Sequence, residues 1–398
     1  MRHQKLRTLM TMGGILWGTL AIVLLFAFGK GMHEAQMKSQ RGMGENIAIV
    51  WSGLTSKPWQ GFPRGRSIEF TEEDVAIMKT RISSIGRISP EYSNWNAHMQ
   101  YGKKNIVTNL IGVWPEFGEM RNLIPEVGGR FIDALDIALK RRVVFIGDEL
   151  KQQLFGDQEA IGQYIFINNV PFQVIGVLKT KKQDSSYSGR DNRKAVIPSS
   201  TLQGMYSRSY LNDFVVQNRE GSSMAAVKSG IYELLSRKYR FDPTDTEALS
   251  IWDTTEGMKF ISTFFLAFRI FLIGIGMATL ITGGIGVSNI MNVVLEERTK
   301  EIGIKMALGA KKGMIMTQFI FETMLLTVLG GILGYIIGAG IIRIIPLFKW
   351  EDYIGTPQID LLGTVLAMVV LGIVGLAAGY FPARRAANLQ PVQALKLF

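Results

Sequence analysis

Four stretches of this chain run uncharged for as long as a bilayer is thick. Thr8 to Gly29, Ile270 to Leu295, Thr323 to Ile342 and Leu361 to Phe381 contain no Asp, Glu, Lys or Arg. A helix needs about 20 predominantly apolar residues to cross the hydrocarbon core, and the second run has 26. Lipid offers the backbone no hydrogen bonds, so such runs are read as helices. The rival reading for the first run is a cleaved signal peptide, with Ala27 and Gly29 mimicking a cleavage site. The apolar region of a signal peptide is shorter, about 7–15 residues, and three more runs follow here. The first run is therefore read as an uncleaved span.

Hydrophobic residues make up 47% of the 398 residues and charged ones 19%. A positive mean hydropathy beside so many charges implies segregation into apolar spans and an ordinary water-exposed domain. There is no cysteine, which excludes disulfides and thiol chemistry. The net charge of +11 does not point to nucleic acid. Much of the excess lies beside the apolar runs, where the positive-inside rule expects it, and no recognition motif accompanies it. Arg2, Lys5 and Arg7 place the N-terminus in the cytoplasm. Residues 296–313 hold Arg298, Lys300, Lys305, Lys311 and Lys312, whereas the bases of 343–360 are Arg343 and Lys349. The tail carries Arg384, Arg385 and Lys396 and no acid. An even number of spans with both termini cytoplasmic satisfies all of these at once.

The expected fold is a membrane protein of four transmembrane α-helices with a large α+β extracytoplasmic domain between helices 1 and 2. Residues 1–8 form the cytoplasmic N-terminus, 9–29 the first span and 30–260 the extracytoplasmic domain. Residues 264–295 form the second span with its stalk, 296–313 a cytoplasmic amphipathic segment and 314–342 the third span. Residues 343–360 form a short outer loop, 361–381 the fourth span and 382–398 the cytoplasmic tail. Within the large domain, 46–51 (NIAIVW) reads as a strand. Thr71–Arg81 reads as a helix whose Thr71 and Asp74 make a capping-box variant. Residues 105–114 and 142–146 read as strands, 147–155 and 224–239 as helices. Residues 164–167 and 171–178 form a hairpin across Asn168-Asn169, a pair that tolerates positive φ. Residues 179–194 (KTKKQDSSYSGRDNRK) are polar and charged and read as a mobile loop. Thr254–Phe268 reads as a helical extension of the second span.

No enzyme motif emerges. His3, His33 and His98 are not spaced as a helical metal site requires, and no GxSxG, HExxH or GxxxxGK[ST] occurs. Lacking a P-loop, the chain cannot bind ATP in that way. The spans do carry a pattern. Gly330, Gly334 and Gly338 recur at i, i+4, i+8; Gly375 and Gly379 repeat the spacing, as do Ala278, Thr282 and Gly286 with small residues. Small residues so spaced let helices approach closely in lipid, within a subunit or across a dimer. Arg269 can snorkel to the outer interface. Glu322, about two turns into its helix, faces either the cytoplasmic interface or a partner, with a transport relay as the sharper alternative.

Residues 283–312 (GGIGVSNIMNVVLEERTKEIGIKMALGAKK) state the most specific design. A span passes into a charged amphipathic segment and then at once into another span. Ile302, Met306 and Ala310 fall at i, i+4, i+8, with Ile304 and Leu308 nearby, while Glu297, Arg298, Glu301 and Lys305 lie elsewhere on the same turns. Gly309 ends the helix. An interfacial helix of this kind lies on lipid as its ordinary role. The mixed charge argues instead for a protein partner, because lipid-binding helices usually present a basic polar face.

On these residues the chain resembles the MacB/FtsX family of ABC transporter permeases, of the macrolide-exporter, mechanotransmission type. The likeness runs nearly end to end. GGIGVSNIMNVVLEERTKEIGIKMALGA looks like the family's second-span and coupling-helix signature, and GYFPARRAANLQPVQALK (379–396) like its C-terminal signature. GVWPEF (112–117), GGRF (128–131), VVFIGDELKQQLFG (143–156) and IGQYIFINNVPFQVIGVLK (161–179) are similar to its extracytoplasmic core. Many relatives carry a longer amphipathic helix before the first span, where about eight residues stand here; either that helix is short or the start lies upstream. The resemblance implies an inner-membrane protein whose outer domain has two lobes, working as a homodimer or a heterodimer with a related permease. It implies a separate ATP-binding subunit that supplies ATP and Mg and docks beneath the coupling helix, meeting Glu297, Arg298, Glu301, Gly303 and Lys305. It leaves open a periplasmic adaptor and outer-membrane channel. The function it implies is export or extraction of a substrate driven by that ATPase. The alternative is a non-transporting regulator that signals to partners such as cell-wall hydrolases.

Overall fold

The computed structural model of the protein describes residues 2–181, 183, 186–348 and 355–389. It divides into two units, one of residues 1–36 with 262–398 and one of residues 37–261.

The unit of residues 37–261 is organised around one long strand, β2 (Ile85–Tyr101). Its first half pairs with β8 (Asp213–Asn218) from Ile85 to Glu91. Its second half pairs with β3 (Lys104–Val113) on one edge and, at Met99 and Gln100, with β5 (Tyr164–Ile167) on the other. With β4 (Val143–Ile146), β6 (Val170–Val177) and β7 (Ala195–Pro198), the order β3-β7-β4-β6-β5-β2 returns to β3, so six strands close into a ring. Beyond β8 the sheet continues to β1 (Ile47–Ser52) and β9 (Leu249–Asp253). One continuous ladder therefore serves a closed ring and an open sheet, with β2 common to both. Strand β1 is buried on both faces: Ile47 and Ile49 enter one core cluster, Ala48 and Val50 the other. A doubly buried strand reads as an unbroken apolar run, which is why NIAIVW was recognisable.

The short-range signals produce what they specify. Thr71 and Asp74 exchange hydrogen bonds in a capping box at the start of α2 (Glu72–Arg81). Asn168 and Asn169 take φ of 44° and 67° in the two-residue turn between β5 and β6, the positive values that such a hairpin demands. Further helices are α3 (Glu116–Met120), α4 (Ala134–Ala138), α5 (Asp148–Phe155), α6 (Ser199–Tyr206) and α7 (Met224–Tyr239).

The polar stretch 179–194 corrects the expectation of a mobile loop; Lys182, Asp184 and Ser185 lie outside the described residues. Asp191 and Lys194 are buried. Asp191 accepts from Arg121 Nη2 at 2.9 and 3.1 Å, from Lys181 Nζ at 2.8 Å and from Lys194 Nζ at 3.2 Å. Burial alone would push the Asp191 carboxyl up, but the charges of Arg121, Lys194 and Lys181 outweigh it and hold it well below the usual carboxylate range. The Tyr187 hydroxyl donates to Glu91 Oε2. Opposite Glu91 in the β2–β8 ladder stands Asp213, which burial and then the charge of Glu91 push well above an ordinary carboxyl. Charges of both signs, drawn from β2, β8, the end of α3 and this stretch, satisfy one another inside the protein. Composition alone cannot foresee that arrangement.

The other unit is helical. It holds α1 (Arg2–Met43) up to Gln36, and α8 (Thr254–Glu297) from Ser262. It also contains α9 (Thr299–Ala307), α10 (Lys312–Ile344) and α11 (Leu361–Ala387). Four of these, all but α9, are long and apolar enough to cross a membrane. Helix α1 does not stop near Gly29. It continues to Met43 because no proline interrupts it and Lys30 and Glu34 face each other one turn apart. It ends where Gly44 adopts a φ of 121°, the left-handed stop that favours glycine. Helix α8 begins at Thr254, so the stretch ahead of the second apolar run is helical as expected. Residues 349–354 of the loop before α11 and residues 390–398 of the tail, Lys349 and Lys396 included, lie outside the described residues.

The spaced glycines lie between helices of this same chain. A Cβ on Gly334 would sit 2.6 Å from the Leu16 carbonyl oxygen of α1, and Cβ atoms on Gly330 and Gly338 would press on Ile15 and Val23 at 3.2 and 3.1 Å. Gly375 and Gly379 of α11 face Thr327 and Thr323 of α10, where a Cβ would come within 2.7 and 2.9 Å. Ala278, Thr282 and Gly286 are exposed instead, on the outer face of α8.

Candidate functional site: the segment between α8 and α10

The run of α8 breaks at Arg298, which takes φ −97° and ψ 7°, and α9 starts at Thr299. Neither glycine nor proline marks the break, so nothing in the residues announced it. The far end of α9 was announced. Gly309 has φ 96°, the Gly309 N–H donates to Met306 O at 3.1 Å and the Ala310 N–H to Lys305 O at 3.0 Å. This pair of bonds is the Schellman motif, which satisfies the last carbonyls of a helix.

Helix α9 has an inward and an outward face. Ile302 and Gly303 are buried, and Ile302 joins Leu295, Ile315, Phe319, Ala383 and Ala386 in one core cluster, with Met306 and Ala310 packed against it. Those members come from the ends of α8, α10 and α11, so α9 is tied to three long helices at once. Burying a side chain the size of isoleucine stabilises by about 1.5–3 kcal/mol, enough to seat the helix. Outward stand Lys300, Glu301, Ile304 and Leu308. Ile304 is 44% exposed and Leu308 83%.

Ile304 and Leu308, near the stripe of Ile302, Met306 and Ala310 in sequence, stand on the opposite, outward face. Positions two apart on a helix are about 200° apart around its axis, so 302 and 304 cannot face the same way. That spacing was the signal for these two residues. Glu301 and Lys305, one turn apart, form an ion pair at 2.9 Å, and the hydrogen bond from Lys305, followed by its charge, lowers the Glu301 carboxyl below its ordinary range. Glu297 is exposed at the last turn of α8.

Two expected contact residues turn inward instead. Gly303 is buried. Arg298 is half-buried and reaches α10, where its Nη1 donates to both carboxylate oxygens of Glu322 at 3.3 and 3.2 Å. Gln318 donates to the same carboxylate at 3.2 Å. Because α10 begins at Lys312, Glu322 lies in its third turn. Arg298 and Glu322 therefore satisfy each other within the chain and hold the break in α8 against α10. Two further bonds gather the same end of the bundle: Lys312 Nζ to Asn388 Oδ1 at 3.3 Å and Arg385 Nη1 to Asn292 Oδ1 at 3.5 Å. Arg269 is paired too, donating to Asp360 Oδ2 at 2.8 Å.

The result is a short helix, rigidly seated on its inner face, that presents two exposed aliphatic side chains flanked by an acid–base pair. Exposed apolar residues rimmed by polar ones are a pattern found at surfaces for a protein or a membrane.

Comparison with known proteins places this architecture. Residues 8–234 match the MacB-like periplasmic core domain, and residues 272–391 match the FtsX-like permease C-terminal domain. The chain is 29% identical over 98% of its length to the macrolide export ATP-binding/permease protein MacB of Bdellovibrio bacteriovorus, covering 59% of that protein. It is 32% identical over 98% of its length to the protein of the same name from Chlorobium phaeobacteroides, covering 58%. The chain thus spans about three-fifths of these relatives. Among solved structures it is similar to the periplasmic region of MacB from Actinobacillus actinomycetemcomitans. That match has 20% identity and a TM-score of 0.45, and covers 57% of this chain and 97% of that one. With the two domain matches together taking in most of its length, the chain belongs to the MacB/FtsX family of ABC transporter permeases.

Proposed function

We propose that this chain is the membrane subunit of an ABC transporter in which α9 docks a separate ATP-binding subunit and passes its motion to the domain of residues 37–261. In this reading the four long helices cross the inner membrane with both termini in the cytoplasm. The sheet domain lies outside, its closed ring and open sheet forming two lobes, and two permease chains pair. The observation that carries the reading is the outward face of α9, with Ile304 and Leu308 exposed beside the Glu301–Lys305 pair. The inner face, locked to α8, α10 and α11, lets a push on this helix reach the spans. Two helices are also far longer than a bilayer requires: α1 has 42 residues and α8 has 44, against about 20 for one crossing. The ATP and Mg reside on the partner, and the work done is export or extraction of a substrate, in keeping with the export named for the relatives.

Co-expression with the candidate ATP-binding protein and reconstitution in proteoliposomes test this. Docking residues of an interface centre contribute about 2 kcal/mol or more, roughly 30-fold in Kd. Leu308→Asp and Ile304→Asp are each expected to lower co-purification by that order and to abolish stimulation of ATP hydrolysis. Wild-type stimulation in both, together with charge reversal at Glu301 and Lys305 that changes nothing, rules the reading out. Movement of substrate across the proteoliposome membrane separates export from signalling.

A further inference from the structure

At the end of the helical unit that carries Lys30 and Arg269, a cavity of about 390 Å³ opens between α1, α8 and the start of α11. Its lining is largely apolar: Phe26 of α1 and Leu272 of α8 lie on the side of the uncharged runs, while Phe265 and Phe268 of α8 lie at and above the level of Arg269. Glycines shape it. A Cβ on Gly31 would lie 2.5 Å from the Thr356 carbonyl oxygen, so the chain leading into α11 presses against α1 and forms one side. A Cβ on Gly29 would touch Leu272 at 3.1 Å, so the helices are close there and the cavity opens above that point.

The rim is charged, in both signs. Lys30 and Glu34 stand one turn apart with their charged groups 4.0 Å from each other. Arg269 and Asp360 pair at 2.8 Å, and His33 lies against Phe265 with ring centroids 5.0 Å apart.

The depth of this rim follows from the residues themselves. Lys30 is the first charge after the uncharged run 8–29, Arg269 the last before 270–295, and Asp360 the last before 361–381. Three helices thus bring their bordering charges to one level, the edge of the hydrocarbon where lipid headgroups lie. Phe26 and Leu272 below the charges, with the aromatic Phe265 and Phe268 beside them, match the change from hydrocarbon to an aromatic and charged boundary in one leaflet. A water-soluble ligand would not match the apolar lining, and a pure hydrocarbon would leave the rim unused. Two cations against two carboxylates make the rim neutral overall while offering both signs.

We propose that this cavity binds a bilayer phospholipid with a zwitterionic headgroup. One acyl chain lies along Phe26 and Leu272, with Phe265 and Phe268 beside the glycerol and headgroup. The phosphate is met by Arg269 and Lys30, and the ammonium by Glu34 and Asp360. The site is independent of the docking role of α9.

The test uses the full chain, reconstituted in nanodiscs of equimolar phosphatidylethanolamine and phosphatidylglycerol and extracted in mild detergent. Retained lipid is quantified by mass spectrometry, and a phosphatidylethanolamine with a photoactivatable acyl chain maps the contact. Retention of phosphatidylethanolamine over phosphatidylglycerol by about fivefold is expected, the discrimination that one partly exposed ion pair supplies. Crosslinks should fall on residues 26–34 and 262–272. Glu34→Gln with Asp360→Asn, which keeps a helix-capping side chain, should shift retention toward phosphatidylglycerol. Ser262→Trp, which fills the cavity from an exposed position, should abolish retention in a protein that elutes like the wild type. Crosslinks spread evenly over all four long helices, retention that favours phosphatidylglycerol in the wild type, or a preference unchanged by the carboxylate variants overturns the proposal.

Discussion

Replacing Asp191 with asparagine removes one carboxylate from among three cations. In the folded protein this group accepts from Arg121, Lys181 and Lys194 at 2.8 to 3.2 Å. Arg121 is fully buried, and among the described residues its Nε and Nη1 have no hydrogen-bond partner, so Asp191 carries most of its compensation. Removing one partner of a buried ion pair costs about 3–5 kcal/mol, because the charge left behind is neither solvated nor matched. For a unit of this size each kcal/mol moves the unfolding midpoint by about 2–4 °C. The expected drop for Asp191→Asn is therefore about 6–20 °C at neutral pH. The carboxyl is held below its ordinary range in the fold. Its contribution is thus present above the unfolded value of about 3.9 and is lost as pH falls through the folded value. The gap between wild type and variant should stay constant above about pH 5 and narrow below pH 4. Thermal unfolding of the full chain in detergent measures this, with hydrogen exchange of peptides from β3, α3 and β7 locating the loss. Arg193→Gln serves as the control, since its pair with Glu149 is solvent-exposed and screened. A shift below about 2 °C at neutral pH, or one equally large at pH 3, refutes the reasoning.

Asp213 carries the opposite sign. Its folded carboxyl is raised, so its stability contribution is present below about pH 3.9 and is lost as pH rises toward the folded value. Asp213→Asn should match wild type near pH 4 and exceed it near pH 8 in the same unfolding assay. At the crossing of α1 and α10, Gly334→Val forces a side chain against the Leu16 carbonyl and should cost about 1–3 kcal/mol, read as a lower midpoint in detergent. Gly286, which has open space around a Cβ, should accept leucine without loss of fold; weakened self-association in crosslinking would follow if two chains pair on that face. Ile302→Ala should cost about 2–5 kcal/mol and expose residues 299–309 to limited proteolysis.

Elements governed by neighbours in sequence were legible. The capping pair Thr71–Asp74, the Asn168-Asn169 turn, the Gly309 stop and the long uncharged helices all rest on interactions within a few residues, where residue type and spacing suffice. Strand β2 was missed. Its run holds Pro90, Glu91 and a stretch of polar residues; only β3 is its neighbour in sequence, while β8, which pairs with its first half, and Tyr187, whose hydroxyl satisfies Glu91, lie about a hundred residues or more away. The break at Arg298 was missed for the same reason: its partner, Glu322, lies 24 residues on.

Of the candidate site, the residues and their helix were recognisable, but the assignment of faces was not complete. Ile304 and Leu308 look like core by composition, and angular spacing was the cue that separates them from Ile302. That Arg298 and Gly303 face the bundle, while Glu301 and Lys305 pair outward, depends on how α9 is seated.

By itself the sequence determined that this chain has long apolar helices, an α+β region between the first two and a charged amphipathic helix between the second and third. Those properties follow from hydrophobic run length and local periodicity, which act along the chain. Tertiary structure alone decided that a polar stretch would bury its charges around Asp191, that the spaced glycines of α10 would admit α1, and that three helix ends would share one charged rim. Each depends on residues brought together from distant positions, where burial makes pairing obligatory and a Cβ too many is felt at once.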